Sequence, residues 1–181
     1  KWCMARNDIV ERNEDPQIVL PILKDALVKE FQFKIAQTVG KAREDLGKKL
    51  GRQYAISSKR IYLSELESKI ERSAVKTLKD LLGKIKDCKT KEEKAAVMDA
   101  MSYRIRFMAV FAEEKAYWYS FAKYCQEAKI EKIRVKFNRK EEKEGRQEFI
   151  STSQVTMDSI PPFHPYCECE LEPVKQEGKA A

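Results

Sequence analysis

The chain has 181 residues, of which 43% are hydrophobic and 36% charged, with only six glycines and six prolines. Such a length suits one domain with an appendage, and charge well above the roughly 25% of ordinary globular chains predicts long solvated helices. The net charge of +7 permits contact with nucleic acid without requiring it, and no apolar run approaches the roughly 18 residues of a membrane span.

The opening "KWCMARNDIVERNEDP" carries no signal-peptide pattern and begins at Lys1 rather than Met, as expected of a trimmed or processed piece. Five cysteines (Cys3, Cys88, Cys125, Cys167 and Cys169) are odd in number and unevenly spaced. They do not read as a secreted disulfide framework, and a reducing cytoplasm is expected.

The first long helix is predicted to start at Pro16, with Asp15 as its N-cap. Leu20, Leu23, Leu27, Phe31, Ile35, Val39, Ala42, Leu46 and Leu50 then recur in steps of three and four and draw one apolar stripe. Pro21 is close enough to the start to be tolerated or to kink the first turns, and Gly51 is a natural stop. "GRQYAISS" reads as a connector. Leu63, Leu66, Ile70, Ala74, Leu78, Leu81 and Ile85 place a second helix over about 60–87. Thr90 followed by Glu93 fits a capping box and opens a third helix that runs to about residue 127. Met98, Met101, Met108, Phe107, Phe111, Tyr117, Trp118 and Phe121 make it the most apolar of the three, so it is expected to be central, with these residues as core rather than cofactor pocket.

Near residue 130 the period changes from 3.6 to 2. "KIRVKF" alternates Ile133, Val135 and Phe137 with Lys132, Arg134 and Lys136, a half-buried strand. "NRKEEKEG" reads as a charged turn and "RQEFIST" as the return strand. "CECEL" alternates again, with Cys167, Cys169 and Leu171 on one face and Glu168, Glu170 and Glu172 on the other. The fold class is therefore mainly α: a long-helix bundle over 1–128, a small β module over 129–172 and a loose tail over 173–181. A unit of that size usually needs docking or a metal to hold it.

Two groups of residues invite chemistry. "IPPFHPYCECEL" brings the only histidine, His164, within six residues of Cys167 and Cys169. These are good zinc ligands on a proline-stiffened turn. Cys125, at the end of the third helix, is the best fourth ligand, and the set would make a closed, structural zinc site. The alternative, which stays open on sequence alone, is that the cysteines pack inward as small hydrophobes. The second group is the basic run of Lys132, Arg134, Lys136, Arg139 and Lys140, which could rest on nucleic-acid phosphates without reading sequence; the competing reading is a solvated edge strand guarded by lysines. No Gly-rich phosphate loop and no second histidine for a nucleophile–base pair are present, so no enzyme is expected.

The segment Pro161, Pro162, His164, Pro165, Cys167 and Cys169 resembles the C-terminal signature of head morphogenesis (minor head) proteins of tailed bacteriophages, the family typified by the phage Mu F protein. Upstream, "RIRFMAVFAEEKAYWYSFAKYCQEAKIEKIRV" is similar to that family's helix-to-strand region, with Arg104, Arg106, Glu113 and Ala116 in matching places. Of the family's Cys-x-x-Cys pair only Cys125 remains, since position 128 is alanine. The resemblance covers about residues 100–172. It implies a structural component of a virion head near the portal vertex, assembled in the host bacterial cytoplasm. It further implies portal or major capsid protein as partners within an oligomeric assembly, and phage DNA as a backbone-only contact during packaging or ejection. The rival expectation is a zinc-stapled nucleic-acid-binding domain or small nuclease.

Overall fold

The computed structural model describes residues 1–51, 61, 63–138, 145–164 and 166–174. Among them stand four helices and one three-stranded sheet. Helix α1 covers Trp2–Val10, α2 Pro16–Leu50, α3 Ser64–Asp87 and α4 Lys91–Glu127. The strands are β1 Lys132–Lys136, β2 Phe149–Ser151 and β3 Glu170–Pro173. The three long helices stand where the periodicity puts them. The connector after Gly51, the charged turn at 139–144 and the tail from 175 onward lie outside the described residues.

The predicted caps carry the helix starts. The Asp15 carboxylate accepts from the amide of Gln17 at 2.8 Å, which supplies one of the acceptors that the first helical amides lack. At α4, Thr90 Oγ1 accepts from the Glu93 amide at 3.1 Å and the Glu93 carboxylate accepts from the Thr90 amide at 3.2 Å. That reciprocal pair is a complete capping box. Helix α1 falls in the polar opening stretch and was not expected. Its Ala5, Ile9 and Val10 are nonetheless buried.

The chain divides into two compact units, Lys1–Lys34 with Leu63–Val110, and Ile35–Tyr62 with Phe111–Ala181. The expected boundary at 128/129 falls inside the second unit, because the β segment shares that unit with the later residues of α2 and α4. In the first unit, Leu20, Leu23, Leu27 and Phe31 of α2 are buried together with the α3 stripe Leu66, Ile70, Ala74, Leu78, Leu81 and Ile85 and with Met98, Met101 and Ile105 of α4. Arg6 of α1 makes a two-nitrogen contact with Asp99 of α4, at 2.7 and 3.2 Å.

In the second unit, Val39, Ala42, Leu46 and Leu50 of α2 and Ala112, Ala116, Phe121 and Cys125 of α4 are buried. Tyr117 donates to Asp45 at 2.9 Å. That bond, ahead of the nearby Lys48, holds the Asp45 carboxyl below its usual range. The sheet order is β2-β1-β3 with both pairings antiparallel. Strand β1 is thus the central strand, which corrects the edge-strand alternative. Ile133, Val135, Ile150 and Leu171 form its buried face. The inward alternation of Cys167, Cys169 and Leu171 against exposed Glu168 and Glu170 is as read from the sequence, although regular strand pairing begins only at Glu170.

The turn from α4 into β1 has a definite geometry. The Ile130 amide donates to the Cys125 carbonyl at 2.9 Å and the Lys129 amide to the Gln126 carbonyl at 3.0 Å, with Lys129 at φ +60°. This is the Schellman closure of a helix, with a lysine where glycine is usual and buried Ile130 as the apolar contact beyond it.

Candidate functional site

Residues 160–171 lie in the second unit, and a lysine holds them. Lys115 of α4 is 7% exposed. Its Nζ donates to the main-chain carbonyl of Ile160 at 2.7 Å and to that of Pro162 at 3.0 Å. The same ammonium lies 6.0 Å from the centroid of Phe111 and 5.9 Å from that of Phe163, within the range of a cation over a ring face. A buried charge is tolerated only where hydrogen bonds and oriented dipoles replace its lost hydration. Two carbonyls and two rings supply that replacement here.

Phe163 is the other half of the junction. Its ring stacks on Phe137 at 6.2 Å and 19°, and the Arg146 guanidinium sits 4.3 Å from its centroid. The rings and cations of β1's end, the β2 approach and α4 thus meet on one residue of the proline-rich segment. Ile160 and Pro161 are buried beside it, and the Pro161–Pro162 peptide is cis. Thr152 fastens the sheet to the helix end, its hydroxyl donating to the Ile130 carbonyl at 2.7 Å and its amide to that of Glu131 at 2.9 Å.

The expected zinc ligands all fall in this unit. Cys125, Cys167 and Cys169 are buried. His164 is half-buried, and its carbonyl accepts from the Cys167 amide at 3.2 Å. Among the described residues, however, no group of three or more His, Cys, Asp or Glu side chains is disposed to hold a metal ion. Burial pushes the Cys125 thiol up to about 12. Lys115 and the Phe163 stack fasten the segment within this unit.

The basic face also differs from its simplest reading. Lys132, Arg134 and Lys136 point to solvent from β1 as expected. Yet Arg134 pairs with Glu148 at 2.9 Å, Lys136 pairs with Glu172, and Arg134 lies over the Phe149 ring at 5.9 Å. Only Lys132 has no ion-pair partner among the described residues. Arg139 and Lys140 lie outside them. Carboxylates from both neighbouring strands interleave the cations, so phosphates would have to displace them.

Lys115 escaped notice because lysine ordinarily reads as surface. A signal was present. Met101, Ile105, Met108, Ala112 and position 115 follow one another in steps of four and three, so Lys115 falls on the stripe to which buried Met101, Ile105 and Ala112 belong. Comparison with family models, with curated proteins and with solved structures gives no match to this chain.

Lys115→Met keeps most of the stem's volume but leaves two carbonyls without their donor, and should cost about 2–4 kcal/mol. The measurement is the shift in denaturant midpoint; a loss under about 0.5 kcal/mol would show that the ammonium does not hold the segment. For Cys125, the folded thiol ionises near 12 against an ordinary 9.0. The unfolded chain therefore releases this proton first, and the thiol's contribution to stability, complete below pH 9, is lost progressively as pH rises towards 12. The slope from this one group is up to about 1.4 kcal/mol per pH unit, and Cys125→Ala should lack that component. Protein purified without added metal should carry no stoichiometric zinc by elemental analysis. Near-stoichiometric zinc that vanishes in Cys125→Ser would instead establish the metal centre.

Proposed function

We propose that this chain is a structural component of a tailed-phage-like particle, a minor head protein that takes part in head assembly through contacts with portal or capsid subunits. The resemblance of Pro161, Pro162, His164, Pro165, Cys167 and Cys169 to the minor-head signature supplies the family. The observation that supports a structural role is what the segment does in the fold. Its carbonyls are hydrogen-bonded to buried Lys115, its phenylalanine is stacked, and its cysteines are packed inward. Such a segment is committed to holding a shape.

Exposed apolar side chains support a role in assembly. Ile18, Ile22 and Phe33 of α2 and Tyr103 and Val110 of α4 are large apolar side chains open to solvent. In this reading, portal or capsid subunits would cover such side chains. A contact with DNA stays secondary in this reading, because Glu148 and Glu172 pair with the cations of β1.

Co-expression with portal, scaffold and major capsid proteins of a tailed phage tests the proposal. The chain should sediment with assembled heads or with the portal ring, and Lys115→Met should lower its incorporation more than it lowers soluble yield. Absence from particles and from the portal ring, with the chain folded in the same lysate, would contradict it.

A further inference from the structure

Helix α1 is held to the first unit by few contacts. Of its nine residues only Ala5, Ile9 and Val10 are buried, and one of the three is an alanine. A helix of that length does not persist by itself in water. It therefore exists only while docked, and its release and its unwinding are one event. Helices α2, α3 and α4 have buried stripes of their own in this unit, seven residues in α3 alone, and these stripes do not need α1 to bring them together.

The polar attachments of α1 lie at the surface. Arg6 pairs with Asp99 of α4 while their side chains stay 32% and 59% exposed. Just beyond the helix, Lys94 donates to the Asn13 side chain at 2.8 Å. Exposed contacts of this kind are weak and are screened by salt. One group opposes docking outright. The indole N–H of Trp2 is buried with no acceptor among the described residues. It gives up its hydration when α1 docks and recovers it when α1 leaves.

Packing at that end is also incomplete. A cleft of about 230 Å³ opens beside Trp2 and Cys3, and its other walls include Leu27 and Phe31 of α2 and Ile105 and Ala109 of α4. All of these residues belong to the first unit. Atoms that line an unfilled space lose contacts they would otherwise make, so the N-terminal end of α1 is the place where release begins.

We infer that α1 is a detachable strap. It lifts from α2 and α4 while the three long helices stay folded, and in lifting it uncovers a groove walled by Leu27, Phe31 and Ile105. The Arg6–Asp99 pair sets how often this happens. The inference stands apart from the head-assembly reading, and either can fail while the other holds.

Native-state hydrogen exchange on the full chain provides the test. The amides of residues 6–10 should open at least about a hundredfold more often than those of residues 74–81 in α3 and 98–105 in α4. Raising salt to about 0.5 M should open α1 about threefold more often and leave α3 unchanged. Arg6→Glu sets like charges against each other and should raise the opening of α1 about fivefold, and Asp99→Arg added to it should reverse most of that rise. The dye 8-anilinonaphthalene-1-sulfonate, which binds exposed apolar surface, should respond more strongly to Arg6→Glu than to the wild type. The charge exchange should return that response to the wild-type level. Residues 6–10 that exchange only together with α3 and α4 in the wild type would overturn the inference. So would an Arg6→Glu chain whose α3 and α4 amides open along with α1, because the whole unit would then be yielding. A dye response unchanged by Arg6→Glu would show that no groove is uncovered.

Discussion

A buried ammonium with two carbonyls against it is the constraint on which the second unit depends. The β segment is a three-stranded sheet of short strands, and β2 has only three residues. A sheet of that size has too little buried apolar area to order itself. Lys115 alters the balance by giving Ile160 and Pro162 a partner that water cannot easily replace, at a point where the chain would otherwise leave the helix. Phe163, trapped between Phe137, Arg146 and the same ammonium, adds aromatic area at that point. Buried charge is ordinarily expensive and is often no gain over a hydrophobe. Its value here lies in direction, since a methylene end could fill the space but would leave the carbonyls unbonded.

The same ammonium fixes the course of a proline-rich segment that also carries His164, Cys167 and Cys169. Prolines supply no amide donors but keep their carbonyls as acceptors, and a lysine from the neighbouring helix answers that of Pro162 together with that of Ile160. The cysteines can then behave as small inward side chains beside Leu171, and the outward glutamates at 168, 170 and 172 keep the opposite face wet. Glu172 pairs with Lys136 and Glu168 meets Asn138. The cations of β1 are therefore as much a part of the sheet's own cross-strand pairing as of any surface offered to phosphate.

Much of the fold was legible because it rests on period and capping. The stripes of α2 and α3 are buried residue for residue, and the capping box at Thr90 has both of its hydrogen bonds. What escaped were features in which a residue acts against its usual type. Lys129 ends a helix in the left-handed region where glycine is the ordinary signal. Helix α1 is made from a mostly polar stretch in which only three residues are buried, too few to show a period. Lys115 is a charge on a core stripe. The rank order of strands was also invisible, since alternation places β1 half in the core but does not say that β2 and β3 flank it on both sides.

The central claim is that the sheet and the proline-rich segment are held to α4 as one cooperative unit through Lys115. Native-state hydrogen exchange measures this most directly. The amides of Val135, Thr152 and Val174, which bond Glu148, Glu131 and Lys132, should open with the same free energy as those of α4 around residues 116–125. In Lys115→Met they should open at a lower free energy while the helix amides stay protected. Sheet amides that already exchange independently of the helix in the wild type would contradict the account.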